Sequence, residues 1–159
     1  MNNTEQELRK QLISFLTRPN AHATLDDALN GISPEHYGTK PAGMPYSVWQ
    51  LAEHIRIAQW DILDFCRNPD YKEMKWPDDY WPKEPAPKDT REWENCLAAI
   101  RSDLKEFIAL VEDESNDLYA PFAWGSGQNL LREAMLIADH NAYHGGQIVL
   151  ARKMLDDWG

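Results

Sequence analysis

Between Thr90 and Glu112, Trp93, Leu97, Ile100, Leu104, Phe107 and Val111 recur at spacings of 4, 3, 4, 3 and 4. Such spacing puts all six side chains on one stripe of an α-helix, and a stripe this apolar has to be covered by other helices. The segment therefore commits the chain to helix-on-helix packing. Three more segments answer it. Thr4 to Thr17 carries Leu8, Leu12, Phe15 and Leu16 on one face, and Thr4 with Glu7 has the spacing of a capping box. Ser47 with Gln50 repeats that signature and opens a helix with Val48, Leu51, Ile55, Ile62 and Phe65 on its apolar side, ended by Asn68-Pro69. The last runs from about Leu130 to Leu155, with Ser126 as the expected cap. A short helical stretch, Thr24 to Asn30, is placed to end at Gly31. There is no strand-like alternation and no internal repeat. The prediction is an all-α protein, a four-helix bundle formed by a single domain over residues 1–159.

The remaining 159-residue composition excludes several functions. A net charge of −10 with no basic patch argues against nucleic acid as a partner. No apolar run reaches the ~18 residues that would span a bilayer, so no membrane partner is expected. Met1 to Lys10 is polar and acidic, unlike a signal peptide. Cys66 and Cys96 are far apart and lack CxxC spacing, which suits two buried free thiols in a cytoplasmic protein.

The connectors are long: Ser33 to Pro45, Pro69 to Lys88 and Asp113 to Gly127. Long connectors imply crossovers rather than a simple up-down-up-down path. The second holds Tyr71, Trp76, Tyr80 and Trp81, too apolar to be left in water, so it packs on the bundle.

Chemistry concentrates in three histidines. His140 and His144 are four residues apart on the last helix, so both imidazoles point the same way. His54 lies on the second long helix, with Ala58 one turn on leaving space before its ring. Two imidazoles from one helix and one from another, facing across a bundle interior, make a candidate divalent-metal site with at least one open position. The donor set suits zinc or nickel. Gln147, Glu133 and Asp61 fall on the same stripes and are candidates for orienting the imidazoles. Gly145-Gly146 follows the pair, and close helix packing explains it as well as access to a ligand does. His22 and His36, in or beside broken chain, read as surface or capping residues.

The segments Pro45-Tyr46-Ser47-Val48-Trp49-Gln50-Leu51-Ala52-Glu53-His54-Ile55 and Ala138-Asp139-His140-Asn141-Ala142-Tyr143-His144-Gly145-Gly146-Gln147 together resemble the DinB/YfiT-like superfamily. The resemblance covers most of the chain. It implies an up-down-down-up four-helix bundle, with His54, His140 and His144 as the three ligands of a divalent metal. It also implies a homodimer and, among characterised relatives, thiol-dependent transferases and an isomerase that use low-molecular-weight thiols.

The expectation is therefore an open three-histidine site serving a thiol-dependent transferase that acts on a small electrophilic substrate. The catalytic group itself, a metal-bound thiol or water, is not fixed by any motif. A metal-dependent hydrolase is the alternative, although no HExxH supplies a protease-type base. A non-enzymatic, stress-related binding bundle is a third reading. His54 sits about seven residues from the start of its helix, or ~10 Å, against ~21 Å to Asn68. That arithmetic assigns the pocket mouth to Ser33–Pro45 and Asp113–Gly127, with Tyr46, Phe122 and Trp124 as pocket candidates. The 69–88 connector contributes only if it folds back along the bundle.

Overall fold

The structure is a computed structural model describing residues 3–159. Helices α1 (Asn3–Thr17), α2 (Leu25–Leu29), α3 (Val48–Arg67), α4 (Thr90–Glu112) and α5 (Leu130–Met154) carry the fold, with one 3-10 turn at Pro34–His36. Among the described residues there is no strand, only an isolated bridge between Pro121 and Asn129.

The long helices begin where the sequence supplies caps. The Ser47 hydroxyl accepts from Gln50 N and the Gln50 side chain accepts from Ser47 N, which completes the capping box at the start of α3. Thr24 and Asp27 do the same for α2. Thr4 does not cap α1, because the helix already contains Asn3. Nor does Ser126 cap α5: Asn129 does, accepting from Arg132 N at 2.9 Å. Gly127 has a φ of +111°, so the chain is still turning after Ser126 and cannot enter a helix there.

Contacts between the helices set their directions. Trp49 meets Trp93 (ring centroids 6.3 Å apart), Gln59 donates to Ile100 O at 2.7 Å, and Arg67 pairs with Glu106. Residue numbers rise together along α3 and α4, so these helices are parallel. His54 meets His144 while Asn141 donates to Gln59 at 3.0 Å, so α5 is antiparallel to α3. Arg9 in the middle of α1 donates to Val111 O at the end of α4 (2.6 Å), while Leu16 and Thr17 at the end of α1 share a groove with Leu97 and Ile100 further back on α4, so that pair is antiparallel too. The path is up-down-down-up, as the resemblance implies.

Two apolar clusters fill the bundle. One joins Trp49, Leu51, Ile55, Trp93, Ile100 and Ile148, and the other joins Leu12, Leu63, Phe107, Val111, Leu130 and Ile137. Two buried arginines tie loose ends to this core. Arg9 also reaches Asn116 O and the Glu5 carboxylate, and Arg152 donates to the carbonyls of Ala28 and Asn30 that end α2. Gly145 lies beside α2, where an added Cβ would stand 3.7 Å from Leu25, an ordinary contact, so close helix packing does not require a glycine there. Cys66 and Cys96 are buried free thiols, and burial pushes both thiol pKa values up.

Candidate metal centre

Antiparallel α3 and α5 bring His54, His140 and His144 into one cluster. His54 Nε2 lies 3.1 Å from His144 Nε2 and 3.1 Å from His140 Nε2. The ligating atoms of all three lie within 4.8 Å of one another, and among the described residues no other group of histidines, cysteines or carboxylates is gathered this way.

The second nitrogens decide what the first can do. His54 Nδ1 faces the Tyr80 carbonyl at 2.8 Å, which can only accept, so Nδ1 carries the proton and Nε2 a lone pair. His144 Nδ1 likewise donates to Gln147 Oε1 at 2.7 Å. Neutral His54 and His144 therefore turn two lone pairs toward each other at 3.1 Å, an arrangement that repels unless a positive charge lies between them. Two nitrogens each ~2.0–2.1 Å from a zinc ion, at roughly right to tetrahedral angles, stand about 2.9–3.4 Å apart. The donor set thus fits a divalent metal in both spacing and protonation.

Burial keeps the imidazoles neutral. It lowers the pKa of all three, and that of His140 is pushed down to about 4, with His144 and His54 adding to the effect. The Tyr80 carbonyl and Gln147 act in the opposite direction on their own partners. Asn141 is the corresponding neighbour of His140. Its buried Oδ1 has no well-aligned donor yet lies close enough to favour the protonated ring.

The cluster opens on a cavity of about 730 Å³ lined by Tyr46, Ala58, Asp61, Trp76, Tyr80, Trp81, Leu136 and Tyr143 among others. This reverses the expected mouth. Tyr46 lines it, but Phe122 and Trp124 do not: they stack on each other beside Phe65, and Trp124 Nε1 donates to Phe65 O at 2.8 Å, near the far end of α3. No residue of 33–45 or 113–127 lines the cavity. The 69–88 connector does. Because α3 and α4 are parallel, the chain between them must return the length of the bundle, and it passes His54 on the way. Trp81 slots between Tyr46 and His54, its ring 3.9 Å from each and nearly parallel to both, at 14° and 3°.

Of the three orienting candidates, only Gln147 touches an imidazole. Asp61 works at one remove. It accepts the Tyr80 hydroxyl at 2.7 Å and the Tyr71 hydroxyl at 2.9 Å, fixing the segment whose carbonyl holds His54. Glu133 is buried but pairs with Arg132 at 2.6 Å, away from the cluster. His22 is exposed beside Ala23 O, and His36 lies 3.3 Å from Asp157, so neither joins the cluster. Tyr80 and Trp81 are expected at the site only if the 69–88 connector folds back along the bundle, and both line the cavity. Their signal was present in the aromatic content of the connector and needed only the parallel helix order to place it.

An all-helical bundle with three convergent imidazoles at the foot of an aromatic cavity defines a class of protein, one with a site that could hold a metal ion. The chain belongs to the DinB superfamily, whose family model matches residues 20–148. A search of curated proteins and one of solved structures find no match. No helix among the described residues is long and apolar enough to cross a membrane.

Proposed function

We propose that the protein is a divalent-metal-dependent transferase that joins a low-molecular-weight thiol to a small electrophile, with His54, His140 and His144 holding zinc or nickel. The observation that carries this reading is the pair of facing lone pairs on His54 and His144, fixed by Tyr80 O and Gln147 Oε1. When bound, the metal supplies a Lewis acid that favours loss of the proton from a coordinated thiol. The chain does the rest. Tyr80 O and Gln147 hold the imidazoles in the ligating tautomer. Trp81 clamps the His54 ring against rotation. The partly buried walls of Tyr46, Trp81 and Leu136 are apolar next to the cluster, which supports attack by a thiolate over hydrolysis. A cytoplasmic location, where such thiols are kept reduced, and a homodimer belong to the same proposal.

The test is metal content and thiol consumption together. Untagged protein is expected to purify with about one divalent metal per chain, the count a single three-nitrogen site holds. Loss of free thiol in the presence of alkylating electrophiles should require that metal and vanish in the His140→Ala/His144→Ala double variant. Equal thiol loss in that variant, or full metal occupancy in it, refutes the reading. Sedimentation at tens of micromolar tests the dimer.

A further inference from the structure

Asp61 sits two turns along α3 from His54, with Ala58 between them, and all three line the same cavity. Asp61 is 7% exposed. Both oxygens accept a phenol, from Tyr71 and from Tyr80, yet among the described residues no Lys or Arg pairs with it. The charges that act on it, Asp64 and Glu73, are also negative. Burial disfavours the ionised carboxylate and only the two phenols offset it, so its charge lacks a cationic partner. The cavity supplies no relief, since no Lys or Arg lines it.

The surroundings of Asp61 are aromatic. The Tyr80 ring lies 5.3 Å from Trp76, and Trp76 is 68% exposed at the rim although it is large and apolar. Tyr80 reaches Asp61 by its hydroxyl, and aromatic rings that share a cavity with a carboxylate are surroundings that can recognise an organic cation. We propose that the ligand of this cavity carries an amine or quaternary ammonium group, seated against Asp61, Tyr80 and Trp76 about 10 Å along α3 from His54. The other end of the ligand then reaches the imidazole cluster, so the ligand is elongated, with its reacting group and its cation at opposite ends. Anionic molecules are rejected by the same features. The inference rests on the reading that this cavity is the substrate site, and not on which metal the imidazoles hold.

Calorimetric titration with three probes of one size tests it: benzyltrimethylammonium, benzyl alcohol and benzenesulfonate, each with protein as purified and after chelation. The cation is expected to bind about tenfold more tightly than the alcohol, a factor equal to ~1.4 kcal/mol, and the sulfonate not measurably. Asp61→Asn should remove the preference, bringing the cation to the level of the alcohol measured in the same variant. Trp76→Ala, a change at an exposed site that spares the core, should weaken the cation selectively. Sulfonate binding as tight as the cation, or a cation preference that survives both substitutions, overturns the proposal. The order of the probes is expected to persist after chelation. If no metal is found in the purified protein, the transferase reading fails while the probe order still stands or falls alone.

Discussion

Replacing Trp81 with Ala removes the one side chain that joins the connector to the imidazoles. Trp81 stacks on Tyr46 and on His54 with centroids 3.9 Å away in both cases. Each such pair is worth ~0.5–1.5 kcal/mol beyond burial, so the two together give about 1–3 kcal/mol. Loss of half-buried indole surface raises the total to roughly 2–4 kcal/mol, against ~3–5 for a fully buried aromatic. At ~2–4 °C per kcal/mol for a chain of this size, the melting temperature should fall by about 5–15 °C. A second effect separates this site from ordinary core. Freed of its clamp, the His54 ring samples orientations that turn Nε2 away from the other donors. Metal affinity should then fall by about tenfold, the lower end for residues that orient a ligand. Trp124→Ala is the control. It loses a hydrogen bond to Phe65 O and a stacked contact with Phe122, which should cost about 1–2 kcal/mol. Its metal affinity should stay within about twofold of wild type, because distant sites act independently. Competition titration of Co²⁺ or Zn²⁺ with a chromophoric chelator, beside thermal melts, measures both. Equal metal affinity in wild type and Trp81→Ala, with the loss found in Trp124→Ala, would refute the placement of the connector.

Gln147→Leu removes the acceptor of His144 Nδ1 and should weaken metal binding by about 10–100-fold, with little change in helix content by circular dichroism. In metal-free protein the pKa of His140 is pushed down to about 4, below the ~6.5 of the unfolded chain. Over that interval the unfolded state binds the extra proton, so stability falls as pH drops from about 6.5 to 4, by at most ~3 kcal/mol. Urea midpoints at several pH values should show this loss, and His140→Asn should flatten the curve relative to wild type. Tyr71→Phe leaves one phenol on Asp61 and a buried oxygen without its donor, costing about 1–2 kcal/mol in urea unfolding while metal affinity stays near wild type.

The helices were legible because their signals are local. The capping box at Ser47 and the breaker Asn68-Pro69 bracket α3, and the seam from Trp93 to Val111 gives α4, within a residue of the structure. The paired histidines were legible for the same reason, since four residues on a helix means one turn. What could not be read from spacing was which connector lies near which helix end. The rise along α3 puts Asn68 ~21 Å beyond His54, and this counted against the 69–88 segment. A chain in extended form covers ~3.3 Å per residue, so the dozen residues from Pro69 to Trp81 can reach ~40 Å. The parallel order of α3 and α4 makes them use that reach. Ser126 failed as a cap for a smaller reason: Gly127 holds a positive φ that delays the helix to Asn129.

The centre divides its labour between two kinds of chain. The donors stand on α3 and α5, whose register is set by the buried core, while much of the wall that meets a ligand, Trp76, Tyr80 and Trp81, stands on a crossover outside the helices. Changes at Trp76 or Pro77 can therefore reshape what enters without disturbing the register that brings the imidazoles together. Changes at Trp81 or at the Tyr80 backbone act on both at once. A lineage of such proteins can diversify its ligands at the rim of this crossover while inheriting its donor set unchanged.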